Sequence, residues 1–492
     1  MNRFTRTLGS SLAVLSLCAP ALAQSSLPQA GDSYFRAAQE QLARLEARQP
    51  NTGKAKNVIL FVVDGLSVPT ITAARILEGQ LAGRDGASNL LGFETVLPYT
   101  ALSRTYTHDS IVADSAPTAT ALVSGVKALN GTIGVNQNAV PNDARTQIGN
   151  EVTTLFEQAE EAGLATGIVS TARITHATPA ATYAKVAGRD WENDTQLTPE
   201  AVELGVKDIA AQLIDWPAGD GFEVVFGGGR SNFMLESQAD PEYETRKGAR
   251  VDRDLVGDWQ AAHNDGAYVW NREQFDALGA GTTRVLGLFE PSHMQYEADR
   301  EKDAGGEPSI AEMTVKAIEI LSRNEKGFVL QVEGGRVDHA HHAGNAARAL
   351  TDAIAVSEAV EAAYNAVDPE ETLIVLTADH SHVFSIAGYP TRDTSILGVG
   401  GIADDGKPYT ILGYQNGPGA RLDEPRADLT DVDTTDIDFL QPALVPLESE
   451  THAGDDVAIY AQGPWAHLFH GALEQNVVYH VMAKAIGLDG SN

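Results

Sequence analysis

Asn57-Val-Ile-Leu-Phe-Val-Val63 is of strand length and apolar without a break from Val58, and it stops at Asp64-Gly65. Runs of the same kind occupy residues 165–170, 222–226, 284–289, 328–332, 372–376 and 457–461. Helical patterns lie between them at 116–127, 151–162, 308–323 and 345–367. Strands that alternate with helices predict an α/β fold, a mainly parallel central sheet with helices on both faces. Two regions break the rhythm. Residues 385–450 are rich in Gly, Pro and Asp, lack a strong period, and are expected to form a loop-rich inserted subdomain. Residues 31–48 predict a polar N-terminal helix with little apolar face of its own.

The balance of charge narrows the function. Across 492 residues, 67 Asp and Glu stand against 35 Lys and Arg, a net charge of −32, which a phosphate backbone would repel. General nucleic-acid binding is therefore not expected. Hydrophobic residues at 43% supply a large core and argue against disorder. At the N-terminus, Arg3 and Arg6 precede a short apolar run at 8–17, and Ala21-Leu22-Ala23 is an A-x-A cleavage site. A signal peptide over 1–23 and an exported protein, periplasmic or secreted, are expected. No later stretch reaches the roughly 18 uninterrupted apolar residues of a membrane span. Cleavage near Gln24 would remove Cys18, the only cysteine, and leave a chain of charge −34 without disulfides. Twenty-four Arg against 11 Lys, with the acidic excess, suggest a protein kept soluble in high salt.

The strand ends carry the chemistry. In open α/β sheets, ligands bind beyond the carboxyl ends of the strands. Asp64 follows the first run, His176 and Thr178 follow the second, Glu333 closes 328–332, and Asp379-His380 follow 372–376. One Asp after a strand is usually a turn residue, but four strand ends loaded with such groups point to metal. In Glu333-Gly-Gly-Arg-Val-Asp338-His339-Ala-His341-His342, Asp338 and His342 are spaced i, i+4 and share a helix face. His382 and His452, the latter in Glu450-Thr-His-Ala-Gly454, extend the set to seven of the 13 histidines. The remaining six, His293 among them, read as ordinary polar positions. Asp114-Ser115-Ala116-Pro117 opens an Ala-rich helix and puts Ser115 at its positive end. Beside divalent ions a serine there can act as a nucleophile, and Arg189 offers a planar fork for two phosphate oxygens.

Asn57-Val-Ile-Leu-Phe-Val-Val-Asp64-Gly65, Asp114-Ser115-Ala116, Thr175-His-Ala-Thr-Pro179, Val332 to His342, Thr377-Ala-Asp-His-Ser-His382 and Glu450-Thr-His-Ala-Gly454 occur in this order. Together they resemble the alkaline phosphatases, over about residues 31–487. His176, His339, Gly388-Tyr-Pro390 and Gly463-Pro464 bring the chain closer to the animal sequences than to the enteric bacterial one. The resemblance implies two zinc ions and one magnesium ion. Asp338, His342 and His452 would hold the first zinc. Asp64, Asp379 and His380 would hold the second, with Ser115 reaching it. Asp64, Thr178 and Glu333 would hold magnesium, with His176, His339 and His382 as supporting groups. It also implies a calcium site at Glu242, Phe289, Glu290 and Glu307, and a homodimer served by a crown-like 385–450 and the helix at 31–48. The chain departs from the family at Leu66-Ser67, where Met-Gly is usual, and lacks the bridging cysteines.

The expected reaction is hydrolysis of phosphate monoesters at alkaline pH through a phosphoserine on Ser115. Three other readings compete with it. A sulfatase would have Arg where Ala119 stands after Ser115-Ala-Pro117-Thr. A phosphodiesterase could use the same metal ligands. An acidic, exported metal-binding protein without catalysis would leave Ser115 and Arg189 without a role.

Overall fold

The computed structural model describes residues 27–421 and 425–490. The expected signal peptide, its cleavage site and Cys18 lie outside these residues. Two units are distinguished, one ending at Gln49 and one from Pro50 onward. In the first, the expected N-terminal helix spans Ser33–Ala47, capped by Asp32, whose side chain accepts from the Tyr34 and Phe35 amides. None of its residues is buried.

The second unit is built on ten strands: β1 Asn57–Val62, β2 Tyr99–Arg104, β3 Ala165–Arg173, β4 Val224–Gly228, β5 Ala267–Val269, β6 Val285–Leu288, β7 Phe328–Glu333, β8 Thr372–Thr377, β9 Val457–Gln462 and β10 Ala472–Glu474. Their order is β10-β2-β9-β8-β1-β7-β3-β4-β6-β5. β9 runs antiparallel to β2 and β8, and the other pairings are parallel. The expected fold class is the one found.

β1 shows why its sequence does not alternate. Val58, Leu60 and Val62 pack on one face with Leu122, Phe156 and Met482. Ile59, Phe61 and Val63 pack on the other with Leu77, Ile318 and Val356. Both faces are covered, so every position from Val58 to Val63 is apolar, each contributing about 1.5–3 kcal/mol by burial. The four central helices appear at Ser115–Ser124, Leu155–Ala162, Ile310–Leu321 and Ala346–Ala366, with caps that set their ends. Thr154 and Glu157 form a capping box, so that helix begins after Thr154 and not at 151. The helix that Ser115 opens stops at Gly125, whose φ of 77° favours glycine.

Sequence periodicity passed over β2, β5 and β10 and the helices Val68–Leu81 and Val477–Ile486. β5 and β10 have three residues each, too short to carry a period. Within 385–450 and its margin lie a small sheet of Phe384–Ile386, Leu412–Gly417 and Ala443–Pro446, and a hairpin of Val399–Ile402 with Pro408–Thr410.

Candidate metal centre

Parallel register brings the loaded strand ends side by side. Val62 lies opposite Glu333 on one neighbour and Thr377 on the other, while Ser170 of β3 lies opposite Glu333. Asp64, Glu333, Asp379 and His380 therefore emerge along one edge, all fully buried. Gly65 turns the chain away at φ 72°, and its amide donates to Asp379 Oδ1 at 3.1 Å. A Cβ on Gly65 would stand 2.3 Å from His382 Nε2, so the turn and the histidine can coexist only with glycine.

Ser115 is the first residue of its helix. Asp114 caps it, Oδ1 accepting from the Ala116 amide at 2.7 Å and Oδ2 from the Gly131 amide. The same Oδ1 accepts from Arg189 Nη1 at 3.0 Å, which aims the guanidinium across the helix N-terminus with Nη2 3.3 Å from His176 Nε2. Burial works against the charge of Arg189, and Asp114, Asp190, Asp64 and Asp338 outweigh it.

Three donor groups surround this serine. In the first, Asp338 Oδ1 lies 3.3 Å from both His342 Nε2 and His452 Nε2, which are 3.1 Å from one another. In the second, His380 Nε2 lies 3.1 Å from Asp64 Oδ1, 3.4 Å from Asp379 Oδ2 and 3.1 Å from Ser115 Oγ, with Ser115 Oγ 3.4 Å from Asp64 Oδ1. Ligands about 2.0–2.1 Å from a tetrahedral ion stand about 3.3 Å apart, so both groups have the spacing that such an ion requires. The third gathers Asp64, His176 and Glu333. Asp64 Oδ2, Glu333 Oε1 and Thr178 Oγ1 are buried there without a hydrogen-bond partner, an all-oxygen set suited to a hard cation. Asp64 belongs to both the second and third groups.

Electrostatics supports the same fit. Burial, then the charge of Asp338, pushes the Asp64 carboxyl up to about 7. Burial and Asp64 push Asp379 up to about 6, and the same causes hold Glu333 well above the ordinary range. Burial lowers His380 to about 3, leaving it neutral, as a ligand must be. Carboxylates crowded together resist ionising, and divalent cations would bring each carboxyl back down while keeping His380 neutral. The donor sets therefore fit divalent metal ions.

The supporting groups divide unexpectedly. His382 bonds Asp338 Oδ1 at 2.8 Å and Glu450 Oε2 at 2.6 Å, and these bonds outweigh burial to raise it to about 10. Glu450 also receives the Val383 amide, and its carbonyl lies 2.5 Å from His342 Nδ1. One residue thus orients two imidazoles, a role that the sequence reading, which took only His452 from the Glu450–Gly454 motif, did not assign. His176 belongs to the third group, and His339 lies beside it, ring centres 5.4 Å apart. His293, read from sequence as an ordinary polar position, packs its ring 4.0 Å from His339 and 5.5 Å from His176, and accepts the Arg173 amide. No local signal marks it. His341 offers no nitrogen to the donor groups: buried behind His382, ring centres 4.8 Å apart, it bonds the Tyr414 hydroxyl at 2.8 Å and Thr70 Oγ1 at 3.0 Å.

A further group lies apart from these three. Carboxylate oxygens of Glu242, Glu290 and Asp303 come together, with Phe289 buried directly before Glu290. Burial and the charges of Glu290 and Asp303 raise Glu307 to about 9, and Asp303 Oδ2 and Glu307 Oε2 lack partners. Asp303 was not foreseen, because the Asp-Ala-Gly-Gly-Glu spacing around it follows no regular period.

The sequence profile of the family described as alkaline phosphatase matches residues 55–488. The chain is 46% identical over 447 residues to an alkaline phosphatase of Gadus morhua, covering 88% of this chain and 92% of that protein. It is 44% identical over 465 residues to the tissue-nonspecific alkaline phosphatase isozyme of Homo sapiens, covering 92% and 88%. Among solved structures, the alkaline phosphatase of Thermus thermophilus superposes with a TM-score of 0.64 at 24% identity, covering 90% of this chain and 94% of that one. That of the Antarctic bacterium TAB5 gives 0.60 at 21%, covering 89% and 99%. At these identities the structures speak for the fold alone.

Proposed function

The chain belongs to the alkaline phosphatase family and hydrolyses phosphate monoesters with divalent metal ions, and from that premise we propose how its residues divide the work. Asp338, His342 and His452 hold one zinc ion; Asp64, Asp379 and His380, with Ser115, hold a second; Asp64, Thr178 and Glu333 hold magnesium. When bound, these cations supply the charge that favours the deprotonated form of an attacking hydroxyl and neutralises the phosphate.

Ser115 Oγ attacks the phosphorus in line with the ester oxygen. The phosphorus–oxygen bond to the alcohol breaks, the alcohol leaves with a proton, and phosphoserine remains. Water then attacks the phosphorus from the vacated side, releasing inorganic phosphate and restoring the serine hydroxyl. Arg189, aimed by Asp114, holds two phosphate oxygens through both steps. His382 and Glu450 keep Asp338 and His342 in place, and His176 and His339 border the magnesium group. The observation that supports this assignment is the four-atom set of Asp64, Asp379, His380 and Ser115 around one point.

The same reading extends to the rest of the molecule. Glu242, Phe289, Glu290 and Glu307, joined by Asp303, form a calcium site. The helix at 31–48 and a crown-like subdomain at about 385–450 serve a homodimer, and residues 1–23 direct export. Among the described residues, no helix is long and apolar enough to cross a membrane. Acid quenching during turnover of nitrophenyl phosphate, followed by peptide mass spectrometry, should find phosphate on Ser115. Label on another residue, or turnover that persists in Ser115→Ala, overturns the nucleophile assignment.

A further inference from the structure

The backbone of Asp379 is held by a side chain that arrives from the far edge of the sheet. Gln475 directly follows β10, is 1% exposed, and donates from Nε2 to the Asp379 carbonyl at 2.7 Å. The next residue, Asn476, donates from Nδ2 to the Gly125 carbonyl at 2.9 Å. Gly125 is the residue that ends the helix begun by Ser115. Two adjacent amides thus grip the two parts of the centre whose relative position matters most, the loop bearing Asp379 and His380 and the helix bearing the nucleophile.

The surroundings make this grip stiff. The helix Val477–Ile486, which follows the two amides, lies so close to the end of the Ser115 helix that a Cβ on Gly125 would stand 2.7 Å from Tyr479 Cδ1. Gln158 Nε2 holds the Tyr479 hydroxyl at 2.6 Å. Val478, Met482 and Leu122 share one buried cluster. On the other side, His380 Nε2 lies only 3.1 Å from Ser115 Oγ. A shift of about 1 Å between reacting groups can cost about 100-fold in rate.

We infer that Gln475 and Asn476 form a brace that sets Asp379 and His380 against Ser115 Oγ, and that both are positioning residues for phosphoryl transfer. The inference rests on the reading of Asp64, Asp379, His380 and Ser115 as a cation-holding set. Its chemistry is specific. An amide nitrogen donates to a carbonyl, whereas the carboxylate of Gln475→Glu, identical in shape, offers only acceptors and would repel that carbonyl.

The test uses the full-length holoenzyme and compares Gln475→Glu, Gln475→Met, Asn476→Ala and the Gln475→Met/Asn476→Ala pair with wild type. The rate at which a chelator strips metal, kcat, KM and the melting temperature are each measured. The brace predicts metal release about 10–100-fold faster in both Gln475 variants, with Gln475→Glu the faster. It predicts kcat down about 10-fold or more with KM within about threefold, and a double variant less damaged than the product of the two singles. Unchanged release and kcat in the Gln475 variants overturn the inference, as does a kcat loss matched only by a lower melting temperature at the wild-type release rate. Asn476→Ala decides the matter should the Gln475 variants fail to fold, since it must lower kcat at unchanged KM. A wild-type enzyme whose turnover survives complete stripping overturns the cation-holding reading itself, and the brace with it.

Discussion

Gly65→Ala separates backbone strain from damage to the metal centre. A Cβ at position 65 would lie 2.3 Å from His382 Nε2, where ordinary contact begins near 3.4 Å, so the imidazole must move by about 1.1 Å. That movement strains its bonds of 2.8 Å to Asp338 and 2.6 Å to Glu450. Hydrogen bonds to charged groups contribute about 1.5–3 kcal/mol each, and a left-handed Ala costs about 1–2 kcal/mol. With the strain costing the equivalent of one such bond, the expected loss of stability is about 2.5–5 kcal/mol. Because Asp338 also serves His342 and His452, affinity for the first ion should fall about 10–100-fold. Gly83→Ala is the matched control: φ is 67°, and nothing lies within 4 Å of the added carbon. It should cost about 1–2 kcal/mol and leave metal affinity unchanged. Denaturant unfolding gives the first quantity and equilibrium titration against a chelator the second. Equal effects of the two substitutions on metal affinity would refute the assignment of His382 as the group that holds Asp338.

Other outcomes follow from the same geometry. Asp352 is buried and pushed up to about 8, mainly by burial, with Arg336 opposing and Glu297 adding to the shift. The folded state then binds a proton that the unfolded chain has released, so this group's contribution is full below about pH 4 and lost as pH rises to about 8. Asp352→Asn should flatten that slope and stabilise the protein by about 1–3 kcal/mol at pH 8–9, measured by unfolding at several pH values. Ser115→Ala should lower kcat for nitrophenyl phosphate by at least about 1,000-fold while the melting temperature of the metal-loaded protein stays within a few degrees. Since the net charge of −32 opposes an anionic ester, kcat/KM should rise with ionic strength over the low range; a steady fall from the lowest salt would count against field repulsion.

The central strands were legible because burial on two faces leaves no polar position to confuse the pattern, as β1 shows. β5 and β10 were not, because three residues cannot carry a period and their pairing depends on neighbours far away in sequence. The first donors were legible because parallel strands of similar length must end together. The direction of His341 was not. His342 shares a helix face with Asp338, yet His341, one residue earlier, is turned by the helix into the core against Tyr414. His293 and Glu450 come from loops whose paths no local pattern describes.

The sequence by itself therefore determined the kind of sheet, the edge at which its ligands gather, and the serine at a helix N-terminus. Periodicity and strand-end position are properties of short segments, so they survive reading one residue at a time. Only the tertiary structure decided which donors share a point. It gave Asp64 to two groups at once, turned His341 to Tyr414 and Thr70, and brought Gln475 and Asn476 to the carbonyls of Asp379 and Gly125. Such meetings join residues scores to hundreds of positions apart, and strand order and helix packing alone bring them within hydrogen-bond reach.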